Sequence, residues 1–423
     1  MTVFAAIAVP AELRAATDGN AWLEGMLAAE RALALAEASA GVIPAEAADA
    51  IAEACRADLF DLELLAKEGR AVGNPVEPLV RALREAVGGE DARFVHWGAT
   101  SQDILDSAAM LVAKNALALV LADLDRAAAA CARHAREHRD TPMAGRTLLQ
   151  QAVPTTFGLK AAGWLVGVVE ARSALRRIAS DRLAAQLGGA AGTNAALGKL
   201  GPAVVSLYAS ELGLLEPTLP WHAIRVRPAE LGSALAIAAG AAAKIGLDVA
   251  LLAQTEVAEV APPSGGGSST MPQKRNPVGS ALAVACARLA SADASVLVSG
   301  LAQEHERAVG GWHAEWDALS GALAYSGGAA AAAAELLEEL TVDVERMRAN
   351  IDESTLSERA VFELGLTRDQ LADRPLREAL AEALPADEVD AALDPAGYLG
   401  SAGNSVDRAL ALYEAESAII SDE

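Results

Sequence analysis

The stretch ILDSAAMLVAKNALALVLADLDRAAAACARHAREHR, residues 104–139, predicts one long α-helix and decides the fold class. Leu117, Leu121 and Leu124 recur at i, i+4 and i+7, which places them on one helix face. The Arg- and His-rich end of the stretch suits the negative end of a helix dipole. A helix of about 30 residues spans about 45 Å, so such helices indicate a long bundle.

Four further long helices are predicted from the same periodicity, and no run has the pattern of a convincing strand. Apolar residues make up 52% of the 423 positions and aromatic residues only 4%, and much of the apolar content is Ala, the best helix former. The fold class is therefore all-α. The apolar residues spread too widely for one narrow stripe, so we expect burial against other subunits. The four helices are expected at about 155–186, about 228–257, from 278 onward, and about 318–350.

Changes in the predicted length of the helices along the chain predict three domains. Short helical pieces occupy 1–104, the long-helix bundle occupies 105–351, and short helices with turns occupy 352–423.

Composition also narrows the partners and the compartment. The formal net charge of −23 disfavours nucleic acids and anionic membranes as partners. The apolar stretch 231–243 is too short to cross a membrane, and the first residues lack the basic region of a signal peptide. Cys55, Cys131 and Cys286 are far apart and odd in number, which suits a reducing cytoplasm.

The segment GGGSSTMPQKRNP, residues 265–277, is either a flexible linker or a catalytic loop. A linker needs only flexibility, whereas MPQKRNP is stiff at both prolines and carries Lys, Arg and Asn side chains. Glycines before a fixed basic segment favour a hinged functional loop over 264–277.

Three other polar segments accompany the long helices: VHWGATSQD (95–103), MAGRTLLQQAVPTTFG (143–158) and QEHERAVGGWHAEW (303–316). Thr100, Ser101 or Asp103 could be an ordinary helix N-cap, although a helix start also offers N–H groups to a carboxylate. Arg307 lies inside a helical pattern and is either a salt-bridge partner or a bidentate clamp for a carboxylate.

Two further patterns resemble binding sites, but we interpret neither of them as a site. His134 and His138 have the i, i+4 spacing of a metal pair, but with no third ligand nearby we interpret them as a solvated helix face. The run LGGAAGTNAALG (187–198) imitates a nucleotide loop, yet no strand precedes it.

At these motifs the chain resembles the fumarase/aspartase superfamily over nearly its whole length. The superfamily loop GSSxMPxKxNP appears here as GSSTMPQKRNP (267–277), and HWGATSQD (96–103) and GRTLLQQAVPTTFG (145–158) match the two other regions in order. The resemblance implies an all-α fold in three domains, a homotetramer, and active sites that three subunits build together.

Several stretches, among them PWHAIRVRPAE (220–230), QTEVAEV (254–260) and LDPAGYLGSAGNSVDRAL (393–410), are most similar to the 3-carboxy-cis,cis-muconate cycloisomerase branch, which belongs to the protocatechuate pathway. In many superfamily lyases the second motif carries a His where this chain has Leu148, and Leu cannot transfer a proton. A carboxylate leaving group needs no proton, which suits the cycloisomerase; nitrite needs none either, so a nitrosuccinate lyase stays an alternative. An adenylosuccinate-type lyase and a catalytically idle structural homologue are further alternatives.

The resemblance also implies roles for individual residues, with a small polycarboxylate as substrate and neither metal nor organic cofactor. Ser268 would transfer the proton, while Lys274 and Asn276 would hold the carboxylate on which charge builds. The remaining residues expected to contact substrate are His96, Thr100, Ser101, Gln102, Arg146, Thr147, Gln150, Ser269, Met271 and Arg307.

Overall fold

The computed structural model describes residues 3–263, 271, 274–372 and 374–421, and within them the chain is all-α apart from four short strands. The N-terminal helices are α1 (Val3–Ala8), α2 (Ala11–Thr17), α3 (Gly19–Ser39), α4 (Ala45–Ala54), α5 (Leu62–Val72) and α6 (Val76–Val87). The long helices, with α9 between them, are α7 (Ser101–Glu137), α8 (Phe157–Asp181), α9 (Gly201–Leu212), α10 (Val226–Leu252), α11 (Val278–Ser299) and α12 (Gly311–Glu338). The C-terminal helices are α13 (Val344–Ala349), α14 (Ser357–Phe362), α15 (Arg368–Leu371), α16 (Leu376–Ala383), α17 (Ala386–Ala392) and α18 (Ala402–Ser421).

The predicted all-α class and the five long helices are confirmed. α7 and α10 lie within a few residues of their predicted bounds. The largest displacement affects α12, which begins at Gly311 and ends at Glu338 rather than covering 318–350. Its predicted last turns instead contain a short strand and α13.

The chain divides into two compact units, and the long helices run through both. Unit 1 contains residues 1–122, 173–240 and 285–330, and unit 2 contains 123–172, 241–284 and 331–423. The three domains expected from sequence, 1–104, 105–351 and 352–423, stay a prediction.

Unit 1 is built around α3, which packs with α4 and α9, while α6 packs with α4, and all four helices contribute to one apolar cluster. Small residues let α3 approach α7 closely: a Cβ added to Gly25 would lie 3.1 Å from the Cβ of Ala108. The same helix buries two carboxylates, Glu30 and Glu37. Neither oxygen of Glu37 has a hydrogen-bond partner among the residues that the structure describes. Burial, followed by the charge of Glu30, raises the pKa of Glu37 to about 9.

Unit 2 contains two antiparallel strand pairs and a C-terminal core. The strands β1 (Pro142–Thr147) and β2 (Gln150–Thr156) pair with each other, and β3 (Val260–Ala261) pairs with β4 (Thr341–Val342). The core around Leu356, Leu380 and Val389 joins the short C-terminal helices.

The expectation of no strands is wrong for the segment 142–156. A two-residue loop, Leu148-Leu149, connects β1 and β2, and both leucines have positive φ, 51° and 66°. Gly or Asn usually occupies such positions in hairpin turns, so two leucines gave no turn signal in the sequence. Arg146, Thr147 and Gln150 consequently lie at a hairpin end and not at the start of α8.

The helical pattern expected around Arg307 is also wrong. α11 ends at Ser299 and α12 begins at Gly311, so Arg307 lies in a loop. His305 and Gly310 in that loop have positive φ, 50° and 95°, which no α-helix accommodates.

By length and composition alone, α7, α10 and α11 would each be long and apolar enough to cross a membrane. The sequence argument from 231–243 is therefore incomplete, because that stretch is part of the 27-residue α10. The most apolar window of α7 is 67% buried inside the protein, and the absence of a membrane partner stays a prediction.

Glu37 provides a test of the buried carboxylates of α3. The folded protein keeps its proton up to a pKa of about 9, whereas the unfolded chain releases it near 4.5. Between these values the folded state binds more protons, so stability must fall as pH rises, by up to about 1.4 kcal/mol per pH unit. We expect Glu37→Gln to remove this part of the slope in urea unfolding measured from about pH 5 to about pH 9. The exposed Glu46→Gln is the control, and identical slopes for wild type and Glu37→Gln would contradict the assignment.

Candidate active site

Asp103 joins the start of α7 to a glycine loop in unit 1. Thr100 is the N-cap, and its backbone N–H donates to Asp103 Oδ2 at 3.0 Å, one half of a capping box. The N–H groups of Gly188 and Gly189 donate to Asp103 Oδ1 at 2.8 Å and Oδ2 at 2.9 Å. His222 Nε2 lies 2.7 Å from Oδ1. Four contacts to one fully buried carboxylate fix the helix start and the loop together.

Gly189 then connects this helix start to Arg307. Arg307 Nη2 donates to the carbonyl of Gly189 at 3.0 Å, while the N–H of the same glycine is held by Asp103. Gly189 has φ +66°, and a Cβ there would lie 2.9 Å from the carbonyl oxygen of Gly98. Only glycine fits this position without strain.

Arg307 has the features of an anion clamp. Within the described part of the chain, its buried Nε has no hydrogen-bond partner and no carboxylate forms an ion pair with its guanidinium. The hydroxyls of Thr100 and Ser101 likewise make no hydrogen bond within the described part of the chain. The N–H groups of Ser101 and Gln102, the first two of α7, also have no backbone partner among the described residues, whereas that of Asp103 donates to the Thr100 carbonyl. Unit 1 thus presents a guanidinium, two hydroxyls and a helix start, linked through Gly189 and Asp103, and this set suits a carboxylate.

His96 is held by a carboxylate that the sequence analysis missed. Its Nδ1 lies 2.6 Å from Glu30 Oε1, and its backbone has a positive φ of 61°, unusual for a non-glycine residue. Burial alone would lower the pKa of His96, but the charge and hydrogen bond of Glu30, with help from Asp103, raise it above the ordinary value. The pair therefore favours an imidazolium next to the start of α7.

Gln102 faces the interior of unit 1. Its Nε2 donates to the carbonyl of His222 at 2.9 Å and to Asp106 Oδ2 at 3.2 Å. Asp106 in turn pairs with Arg225 at 2.8 Å, and Arg225 also pairs with Glu315. All four side chains are buried, so they form a charged network that positions the first turns of α7. The predicted contact of Gln102 with substrate stays a prediction.

In unit 2, Arg146 is engaged by Glu259. The guanidinium makes a two-point contact, Nη1 to Oε2 at 3.0 Å and Nη2 to Oε1 at 2.6 Å. Asn350 Nδ2 donates to the same fully buried carboxylate at 2.9 Å. Glu259 thus fixes the direction of Arg146 and neutralises its charge, while leaving other N–H donors for a ligand.

The hairpin end of unit 2 is exposed. Thr147 and Gln150 pair across the turn, and both are exposed. Leu148 and Leu149 are 97% and 75% exposed. Two adjacent leucines so open to solvent form an apolar tip, which suggests that another surface covers them.

The loop 264–277, predicted to be catalytic, is only partly described. Ser268 and Ser269, predicted to transfer the proton and to contact substrate, lie outside the described residues. Lys274 is exposed, Asn276 is half-buried, and Met271 accepts a hydrogen bond from the Lys274 N–H at 3.0 Å. The carbonyl of Asn276 accepts from Val278 at 2.9 Å, so Asn276 leads directly into α11.

The predicted residues that the structure describes divide between the two units, and their joint contact with substrate stays a prediction. Unit 1 contains His96, Thr100, Ser101 and Arg307. It also contains Gln102, whose side chain donates to the buried His222 carbonyl. The second set, in unit 2, contains Arg146, Thr147, Gln150, Met271, Lys274 and Asn276. The sequence analysis missed the acidic partners Glu30 and Glu259. Each lies far along the chain from the residue that it binds, so no local sequence pattern reveals the pair.

Comparison with known proteins shows the family of the chain. The model of a family described as Lyase matches residues 11–290. The chain belongs to this lyase family. The resemblance to the fumarase/aspartase superfamily is thereby confirmed.

Three relatives cover almost the whole chain. A 3-carboxy-cis,cis-muconate cycloisomerase of Bradyrhizobium diazoefficiens is 44% identical, over 95% of this chain and 95% of its own. A nitrosuccinate lyase of Streptomyces davaonensis is 47% identical, over 94% and 92%. The crystal structure of the 3-carboxy-cis,cis-muconate lactonizing enzyme from Pseudomonas putida superposes with a TM-score of 0.92 at 38% identity, over 98% and 99% of the two chains.

Asp103→Asn tests the helix-start junction. The amide turns one acceptor into a donor that faces N–H groups, so at least one contact becomes repulsive. We expect a loss of about 3 kcal/mol in urea unfolding. Faster hydrogen exchange should appear at the Gly188 and Gly189 amides. The exposed Asp58→Asn is the control, and protected glycine amides in Asp103→Asn would contradict the role given to this carboxylate.

Proposed function

We propose that this chain is a 3-carboxy-cis,cis-muconate cycloisomerase, which closes its substrate to a carboxymuconolactone. The observation that carries the proposal is Arg307, a half-buried guanidinium whose Nε has no hydrogen-bond partner among the described residues and which is linked to the α7 start through Gly189 and Asp103. A substrate with several carboxylates supplies the anion that this arrangement lacks. Near full-length relatives named for this activity support the assignment.

The reaction is an intramolecular addition. A carboxylate oxygen attacks the conjugated double bond, forming the ring C–O bond. The displaced electron pair moves onto a second carboxylate as an aci-carboxylate, and a proton then reaches the adjacent carbon. Ser268 supplies that proton, and Lys274 and Asn276 stabilise the developing charge. In unit 1, Arg307 with Thr100 and Ser101 binds a carboxylate, and Glu30 holds His96 in the cationic form beside them.

Leu148 fits this chemistry. Read backwards, the reaction expels a carboxylate, which leaves without a proton because its conjugate acid has a pKa of about 4. A side chain that cannot transfer protons is therefore tolerated at the hairpin tip.

The same tip supports a shared site. We infer a homotetramer in which partner subunits cover Leu148 and Leu149 and bring Arg146, Thr147 and Gln150 to a neighbour's substrate. The enzyme would act in the cytoplasm, in the protocatechuate branch of aromatic catabolism, on a small polycarboxylate.

A nitrosuccinate lyase is the second candidate, favoured by the 47% identity to an enzyme of that name. Nitrite is also a weak base, so Leu148 suits both reactions.

A paired assay tests the proposal directly. Purified protein is given 3-carboxy-cis,cis-muconate, with loss of diene absorbance as the readout, and separately nitrosuccinate, with nitrite release as the readout. We expect fast diene loss without nitrite, and a drop in kcat of about 100-fold or more for Ser268→Ala. Nitrite release from nitrosuccinate, with no loss of diene absorbance in the separate muconate assay, would replace the proposal with the lyase. Unchanged diene absorbance in the first assay together with no nitrite in the second would reject both activities.

Arg307→Ala tests the carboxylate clamp. Removal of a charged hydrogen-bond donor should raise KM and lower kcat/KM by about 30-fold or more. Arg56→Ala, which removes an exposed arginine of the same unit, is the control. Steady-state constants equal to wild type would remove Arg307 from the site.

A further inference from the structure

The last turns of α7 contain a group of metal-ligating side chains outside the candidate active site. The interpretation of His134 and His138 as a solvated helix face is wrong for His134, which is buried. His134, Glu137 and His138 each place one ligand atom within 4.8 Å of the others, and all three belong to unit 2. On the sequence, the two histidines lack a third ligand. The structure supplies that ligand as Glu137, since i, i+3 and i+4 share one helix face.

The imidazole ring of His134 is buried, and a backbone carbonyl contacts one of its two nitrogens. The residue is 1% exposed, and its Nε2 lies 2.9 Å from the carbonyl oxygen of Leu337. Arg133 Nη2 lies 3.3 Å from the same Nε2, but it donates at the shorter distance of 3.0 Å to the Leu337 carbonyl. A carbonyl accepts only, so its 2.9 Å contact with Nε2 places the ring proton there, and Nδ1 presents its lone pair. That Nδ1 has no hydrogen-bond partner among the described residues. An imidazole that donates one N–H to a backbone carbonyl and keeps the other nitrogen free is typical of metal ligands.

His138 follows the same arrangement. Its Nδ1 lies 3.3 Å from Thr141 Oγ1, which leaves Nε2 available when Nδ1 donates. The ring of Phe157 contacts both imidazoles edge-on, with centroid distances of 6.1 Å to His134 and 5.3 Å to His138. Phe157 therefore restricts the rotation of both rings without offering a competing polar group.

Glu137 completes the group from the solvent side. Its competitor is Arg133, whose Nη1 lies 3.5 Å from Glu137 Oε2 with both side chains largely exposed. Exposed pairs of this kind are weak, and a directly bound cation displaces them easily.

We propose that His134 Nδ1, His138 Nε2 and a Glu137 oxygen bind a divalent transition metal ion such as Zn²⁺, Co²⁺ or Ni²⁺. Two imidazoles and one carboxylate suit these ions, whereas Mg²⁺ and Ca²⁺ prefer oxygen ligands alone. The bound ion would fasten the end of α7, where Arg136 and Arg139 also pair with Glu414 and Asp407 of α18.

The test uses tag-free, full-length protein stripped with a chelator. Co²⁺ is titrated while visible absorption is followed, and Zn²⁺ binding is measured by calorimetry. We expect one equivalent per chain, with an absorption band typical of low-coordinate Co²⁺ that Zn²⁺ abolishes and excess Mg²⁺ does not. His138→Gln and Glu137→Gln are used rather than a change at buried His134, so that the fold is retained.

His138→Gln should weaken Co²⁺ binding about 100-fold and Glu137→Gln about 10-fold. His313→Gln, which changes an exposed histidine of unit 1, should bind like wild type. Absence of the band in wild type, equal affinity in His138→Gln, or equal competition by Mg²⁺ would each overturn the proposal. Because the readouts are spectral and calorimetric, failure here leaves the cycloisomerase assignment untouched, and the reverse also holds.

Discussion

One buried carboxylate, that of Asp103, holds the start of α7 against the backbone of residues 188–189. Every acceptor position that it uses meets an N–H group, from Thr100, Gly188, Gly189 or His222. A carboxylate without water needs such donors, and the donors need it equally, so neither partner can move alone. The position of Arg307 depends on the same junction, because its guanidinium is anchored on the Gly189 carbonyl.

In two other parts of the candidate site, a buried carboxylate likewise holds a polar side chain. Glu30 contacts the imidazole of His96, and Glu259 accepts hydrogen bonds from Arg146. Each acid is almost fully buried, so it sets the direction and charge of its partner from inside the protein. Arg307 is the exception. Its lack of an acidic partner among the described residues is what leaves its charge available to an anionic substrate.

Some features were predictable because they are local. Long periodic Ala- and Leu-rich segments form helices wherever they are placed, and α7 and α10 appear close to their expected bounds. The short motifs carry the chemistry in adjacent residues, so the family could be inferred from 267–277 and 96–103 alone. The hairpin at 142–156 was missed, because leucines with positive φ at its tip contradict the turn preferences that reveal hairpins.

The fold class, the family and the candidate residues could be predicted from the sequence, since they depend on periodicity and on motif spacing. How those residues are held could not be predicted, because their partners come from distant parts of the chain. The partners Glu30–His96 and Arg146–Glu259 are 66 and 113 positions apart, and Asp103 meets Gly188 across 85. Such pairs form because burial makes an unpartnered charge costly, and burial is a property of the packed chain rather than of any segment. For the same reason, an orphaned ring nitrogen on His134 became visible only when the residues around it were in place.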